Sequence, residues 1–475
     1  MTFASPEFLI FLIAVLAAYW SLPRHGQNVL LVVASAVFYG WWDWRFLGLL
    51  YAAAGVDFLA ALRIERSRSA RARRVWLLAS LGANLGTLAF FKYANFFVGS
   101  ATAALAQAGI ELQVHLLQVI LPLGISFYTF QALSYTIDVY RGRMHAVRDP
   151  IQYYAFITFF PQLVAGPIER ATNLLDQFRV SRRFDAGEAA DGLRQMLWGF
   201  FKKMVVADNL APIVNTAYND VGGASEWALV WATYAFAFKI YCDFSDYTDI
   251  AIGCARLMGF RLMRNFAYPY FSQDIREFWR RWHISLSTWF RDYLYIPLGG
   301  NRDGWWRTRR NLLIVFLVSG LWHGANWTFV IWGAIHGVLF LVWPSAASSR
   351  PVSPEDAPGA GRWWPSPGVA VRMLVTFHLV TFAWIFFRAN DLTDAWTVLG
   401  KIGAAPGTPF ELPARSMVAY VALLLAAEWI GRSRPHALHM ERLPQPMRWA
   451  VYYAVVAVII LKAQLDYTPF IYFQF

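Results

Sequence analysis

The sequence predicts an all-α, polytopic membrane protein, and three observations carry that reading. Hydrophobic residues make up 57% of the 475 positions and charged residues only 15%, with a mean hydropathy of +0.37. Such a chain carries more apolar surface than one soluble core can hide. Apolar runs near the roughly 20 residues needed to cross a bilayer follow one another along the chain, and turn and basic residues are concentrated in short stretches between them.

Candidate spans are 6–22, 27–42, 46–62, 75–98, 116–138, 151–168, 190–207, 226–258, 312–343, 369–388, 416–431 and 446–463. The first, from Phe8 to Tyr19, has no basic leader before it and is read as a retained helix rather than a cleaved signal. The run at 226–258 suits one long tilted helix, whereas 312–343 suits two helices broken near Gly320 or Gly324. Pro161, Gly166 and Pro167 prevent a regular helix through 151–168, so this backbone is expected to shape a cavity. The expectation is roughly 10 to 12 transmembrane and re-entrant helices.

Orientation follows from charge. Arg63, Arg66, Arg68, Arg71, Arg73 and Arg74 crowd between the third and fourth spans, and Arg141, Arg143 and Arg148 follow the fifth. Positive-inside topology places both groups in the cytoplasm and the amino terminus outside. The net charge of +12 is thereby assigned to topology and anionic lipid, not to nucleic acid. The 23 Trp and 22 Tyr fit interfacial belts. Cys242 and Cys254 share one apolar stretch and are read as packing residues. The chain is taken as a single integral membrane domain: a motif-bearing body to about 345, a Pro/Ser-rich linker at about 345–367, and carboxy-terminal helices over 368–475.

Two histidines stand out. His323 lies in Leu321-Trp322-His323-Gly324-Ala325-Asn326, near the end of an apolar stretch opening at Leu312, and a titratable ring there is a functional candidate by default. His283 lies in Trp279-Arg280-Arg281-Trp282-His283-Ile284-Ser285. On one continuous helix, Arg276, Arg280 and His283 would share a side, opposite Phe278, Trp282, Trp289 and Tyr293. Pro297-Leu298-Gly299-Gly300-Asn301 then stops the helix in a turn. Asp243, Asp246 and Asp249 step by three along another helix; they are read as pairing with Lys239, Arg256 or the nearby arginines. His336 is read as structural. The histidines lack the i, i+4 spacing of a helical zinc site, so no metal is predicted.

Trp282-His283-Ile284-Ser285, the ending Tyr295-Ile296-Pro297-Leu298-Gly299-Gly300-Asn301-Arg302, and Leu321-Trp322-His323-Gly324 forty residues after His283 together resemble the membrane-bound O-acyltransferase superfamily. The resemblance is closest to its bacterial alginate O-acetyltransferase branch, which Phe160–Arg170 and Tyr241–Gly253 also fit. One departure is visible: Asp246 and Thr248 stand where that branch has Gly and Ser.

The resemblance implies a multi-pass protein of the bacterial inner membrane, with a ring of tilted helices around a central tunnel. It implies His323 as the main catalytic histidine and His283 as its partner. Trp282, Ser285, Trp322, Asn326, Asp243 and Arg280 would line the substrate passage. The expected donor is acetyl-CoA from the cytoplasm, with no bound cofactor. The expected acceptor is an extracytoplasmic polysaccharide or a periplasmic SGNH hydrolase-like acetyltransferase, alongside polysaccharide assembly proteins.

The chemistry agrees with those residue types. Acyl transfer to a hydroxyl needs a base for the proton and donors for the oxyanion, and a neutral imidazole in an apolar passage suits the first task. His323 is expected as the base, with His283 orienting the acceptor or donating to the oxyanion. A transporter or flippase would instead use the intramembrane acids and arginines as gates, and a structural subunit of a polysaccharide export complex would be indifferent to either histidine.

Overall fold

A computed structural model describes residues 1–112, 114, 116–343 and 363–464. Most of the linker read at 345–367 lies outside the described residues. Those described are helical with no strand among them. They fall into two compact units, Met1–Ala189 with Cys254–Met263, and Ala190–Gly253 with Arg264–Phe475. Helices Arg45–Arg66, Ala70–Gln107 and Pro367–Arg388 are long and apolar enough to cross a membrane, and Pro6–Trp20 and Trp327–Val342 are shorter apolar helices.

In the first unit, the first three predicted spans appear as helices Pro6–Trp20, Arg24–Asp43 and Arg45–Arg66, and the fourth, read at 75–98, appears as Ala70–Leu88 and Ala94–Gln107, joined through a wide turn at Ala89–Tyr93 and running past the predicted end. The span read at 116–138 starts later, at Ile125. Pro122 lacks an amide proton and Gly124 is left-handed (φ 71°), so the chain turns there before the helix Ile125–Tyr140 begins. A Cβ on Gly124 would lie 2.8 Å from the Leu163 carbonyl oxygen. Only glycine fits.

The stretch 151–168 is helical only over Pro150–Ile157. Its broken part is buried and tied to helix Ile125–Tyr140: Gln162 Nε2 donates to Gln131 Oε1 (3.0 Å), and Gln131 Nε2 donates to the Phe156 carbonyl (2.9 Å). The two basic stretches meet at one end of this unit. Glu65 accepts from the Ala146 amide (3.2 Å) and contacts His145 Nδ1 (2.8 Å), while Arg73 donates to the Tyr140 carbonyl (2.7 Å).

In the second unit, helix Ala186–Phe201 runs through a wide turn, Lys202–Ala207, into Asp208–Asn219. Glu226–Leu257 is a single helix of 32 residues, about 48 Å at 1.5 Å per residue, long enough to cross a bilayer at a tilt. The 312–343 region is a hairpin of helices Trp305–His323 and Trp327–Val342, with the break falling directly after His323. Its two helices approach backbone to backbone, since a Cβ on Gly320 would sit 2.2 Å from the Phe329 carbonyl oxygen and one on Gly333 would sit 2.3 Å from that of Phe316. Small residues permit this closeness.

Candidate active site

The segment around His283 is two short helices and not one. Ile275–Arg281 ends, Trp282 is extended, and His283 adopts a left-handed conformation (φ 43°, ψ 54°) before Ile284–Phe290 starts. The single amphipathic helix read from the sequence is therefore corrected: the turn takes His283 off the face of Arg276 and Arg280. A bulky residue with positive φ costs on the order of 1–3 kcal/mol and persists only where its surroundings enforce it. Here the enforcement comes from one residue, Asn265.

Asn265 is fully buried and holds the turn through both backbone and side chain. Its carbonyl accepts from the Ile284 amide (2.9 Å), and its Oδ1 accepts from the Ser285 amide (3.1 Å) and the Ser285 hydroxyl (2.9 Å). The same Oδ1 lies 3.1 Å from His283 Nδ1. A backbone N–H can only donate, so the atom facing the Ser285 amide is the amide oxygen of Asn265. An oxygen that can only accept then requires the proton on Nδ1 of His283 and leaves the lone pair on Nε2.

His323 is the last residue of its helix and 2% exposed. Its ring centroid lies 6.3 Å from that of His283, with the planes at 60°. Trp322 touches both rings, at 4.9 Å from His323 and 5.9 Å from His283. Trp332 and Phe387 close on His323 at 5.0 and 5.3 Å. The structure thus brings the two predicted histidines, Trp322 and Ser285 into one buried cluster.

The other predicted positions have different surroundings. Trp282 is fully buried among Phe266, Tyr241, Tyr270 and Trp384. Asn326 caps helix Trp327–Val342 by accepting from the Thr328 amide (3.0 Å), and its Nδ2 donates to the Asn390 carbonyl (2.8 Å). Arg280 is half-buried, and its neighbour Arg281 is the arginine sunk in the interior, paired to Glu277 at 2.8 Å. Asp243 is ion-paired to Lys203 at 2.7 Å. His336 accepts on Nδ1 from the Trp279 indole (3.3 Å), so its lone pair is used in packing, in accord with a structural part.

Two acids of the long helix, Asp243 and Asp249, pair with partners that sequence reasoning did not name. Lys203 also meets Asp208 (2.8 Å), and Lys202 meets Asp249 (2.6 Å) and the Ser245 hydroxyl (2.6 Å). The expected partners were Lys239, Arg256 or the arginines of 276–281. The wide turn after Phe201 changes the helical register and aims both lysines at the acids, and such turns are invisible to a 3.6-residue period. Beside them is a cavity of about 20 Å³, room for about one water, with Lys202, Asp249, Glu428, Thr248, Asn265 and His436 in its wall. Glu428 accepts there from the Tyr241 hydroxyl (2.6 Å). The departure at Thr248 lies in this wall too, its Oγ1 3.4 Å from Asn265 Nδ2.

Apolar spans and a buried histidine pair held by a strained turn define the class as an integral membrane enzyme. The sequence profile of the membrane-bound O-acyltransferase family matches residues 147–347. A probable alginate O-acetylase of Azotobacter vinelandii is 38% identical over the whole of both chains. That of Pseudomonas aeruginosa is 42% identical over 83% of this chain and 74% of its own length. A peptidoglycan O-acetyltransferase of Helicobacter pylori is 34% identical over 85% of this chain and 80% of its own. This chain belongs to the membrane-bound O-acyltransferase family, in its alginate O-acetylase-like branch, and is an O-acyltransferase.

Proposed function

We propose that this enzyme moves acetyl groups from acetyl-CoA on the cytoplasmic side of a bacterial inner membrane to an extracytoplasmic polysaccharide, directly or through a periplasmic partner transferase. His323 takes the proton from the acceptor hydroxyl as its oxygen attacks the thioester carbonyl. The C–O bond forms, the C–S bond breaks, and the imidazolium returns the proton to the departing thiolate. His283, protonated on Nδ1 and held by Asn265, turns its Nε2 edge to the acceptor hydroxyl and orients it.

The observation that carries this reading is the buried imidazole pair, 6.3 Å apart, walled by Trp322, Trp332 and Phe387. Water excluded by such rings cannot compete for the thioester. The relatives that act on alginate and peptidoglycan support a glycan hydroxyl as acceptor. The joined basic stretches near Glu65 and Tyr140 support a multi-pass topology with that end in the cytoplasm and the amino terminus outside.

Inside-out membrane vesicles carrying the enzyme and its polymer test this directly. Labelled acetyl-CoA supplied to the outer, formerly cytoplasmic, surface is expected to label the enclosed polymer or a periplasmic partner protein. Label that stays on the donor would contradict the proposal.

A further inference from the structure

Asp191, His436 and His439 form a cluster that the acyl-transfer reading does not use. Asp191 lies in the second turn of helix Ala186–Phe201, and the two histidines lie in the turn that follows helix Arg415–Gly431. His436 Nε2 is 3.1 Å from Asp191 Oδ1, and His439 Nδ1 is 2.9 Å from the same oxygen. One ligand atom from each residue lies within 4.8 Å of the others.

We propose that this cluster is a binding site for a divalent transition-metal ion, with zinc the best chemical match. Two imidazoles and one carboxylate are the borderline donor set that zinc favours. Ligand atoms about 2.0–2.1 Å from zinc in a tetrahedron stand about 3.3 Å apart, so the two histidine–carboxylate edges, at 3.1 and 2.9 Å, need open by only a few tenths of an ångström. The turn is held ready for this. The His439 amide donates to the His436 carbonyl (3.1 Å), Arg434 Nη1 donates to the His439 carbonyl (3.0 Å), and the Arg434 amide donates to the Gly431 carbonyl (2.8 Å). Glu441 stands 3.8 Å from His439 Nε2, the outer nitrogen, where a carboxylate orients a metal-bound imidazole.

The His439 side chain is 26% exposed and that of His436 is 1% exposed, so the site is walled on one side and open to water on the other. Water completes the coordination as the fourth ligand. The ion pins helix Ala186–Phe201 to the end of helix Arg415–Gly431, and because His436 also lines the cavity with Lys202 and Glu428, it fixes that wall.

Full-length protein in detergent, purified through a tag without histidines and stripped with chelator, is titrated with Zn²⁺ and its metal content measured. The wild-type chain is expected to retain about one ion and to unfold at a higher temperature when loaded. Asp191→Asn and His439→Ala are expected to bind at least about ten-fold more weakly and to lose the thermal gain. Absence of saturable binding in the wild type, which would leave the trio as hydrogen-bonded neighbours only, overturns the proposal. So does unchanged binding in both variants.

Discussion

In the unit of Met1–Ala189 and Cys254–Met263, Asp57 is the hub of a buried polar cluster, and in the unit of Ala190–Gly253 and Arg264–Phe475 that position is taken by Asn265. Asp57 Oδ1 accepts from Ser80, Asn84 (3.0 Å) and Thr136 (3.2 Å), and its Oδ2 accepts from Asn84 again (2.9 Å). Those partners belong to helices Ala70–Leu88 and Ile125–Tyr140, so the carboxylate is spent on tying three helices together. Asn265 instead ties the strained turn at His283 beside Thr248 of helix Glu226–Leu257, and what it holds is the protonation of one imidazole nitrogen and the direction of the other. Burial of polar groups alone therefore does not mark a site. The informative feature is a tie whose effect is to orient a group of the right chemistry.

Four substitutions sharpen or break that contrast. Replacing His323 with Gln keeps volume and hydrogen bonding but removes the base, and transfer from labelled acetyl-CoA is expected to fall by at least about 100-fold with thermal stability little changed. Gly320→Ala places a methyl against the Phe329 carbonyl and displaces the helix that ends in His323. A shift of about 1 Å costs on the order of 100-fold in rate, so the same assay should show that loss with both histidines intact.

Asn265→Ala is expected to cost about ten-fold in transfer, the low end for an orienting partner, because His283 loses the acceptor that sets its tautomer. Nitrogen chemical shifts of the His283 ring should then show both tautomers, where the parent shows only the Nδ1-protonated form. Asp57→Asn puts a donor opposite the Asn84 donor, and unfolding in detergent should register a loss of about 1–2 kcal/mol with the activity per folded molecule unchanged. An equal loss of activity in Asp57→Asn and Asn265→Ala would erase the distinction between the clusters.

Most of the helices were legible in the sequence because length and apolar composition suffice to mark a span, and the break beside Gly324 was legible as well. The later start at Ile125 was not, since Leu116–Leu121 is as apolar as a helix and only Pro122 and Gly124 betray the turn. The histidines were legible as rare titratable rings inside motifs. Asn265 was invisible, because an asparagine in a loop carries no periodic or charge signal. Lys202 and Lys203 were readable in part: two lysines inside an apolar run call for acids nearby, yet the wide turn that aims them leaves no mark on the pattern. The left-handed backbone at His283 was missed for a related reason, as Trp279–Thr288 reads smoothly as one helix until the contacts of Asn265 are known.

The central claim is that acyl transfer runs through the imidazole of His323. The most direct test is the acetyl content of the exported polymer from cells making the wild-type chain, His323→Ala or Asp57→Asn at matched membrane abundance. The account predicts polymer stripped of acetyl groups with His323→Ala and ordinary acetylation with Asp57→Asn; ordinary acetylation with His323→Ala would contradict it.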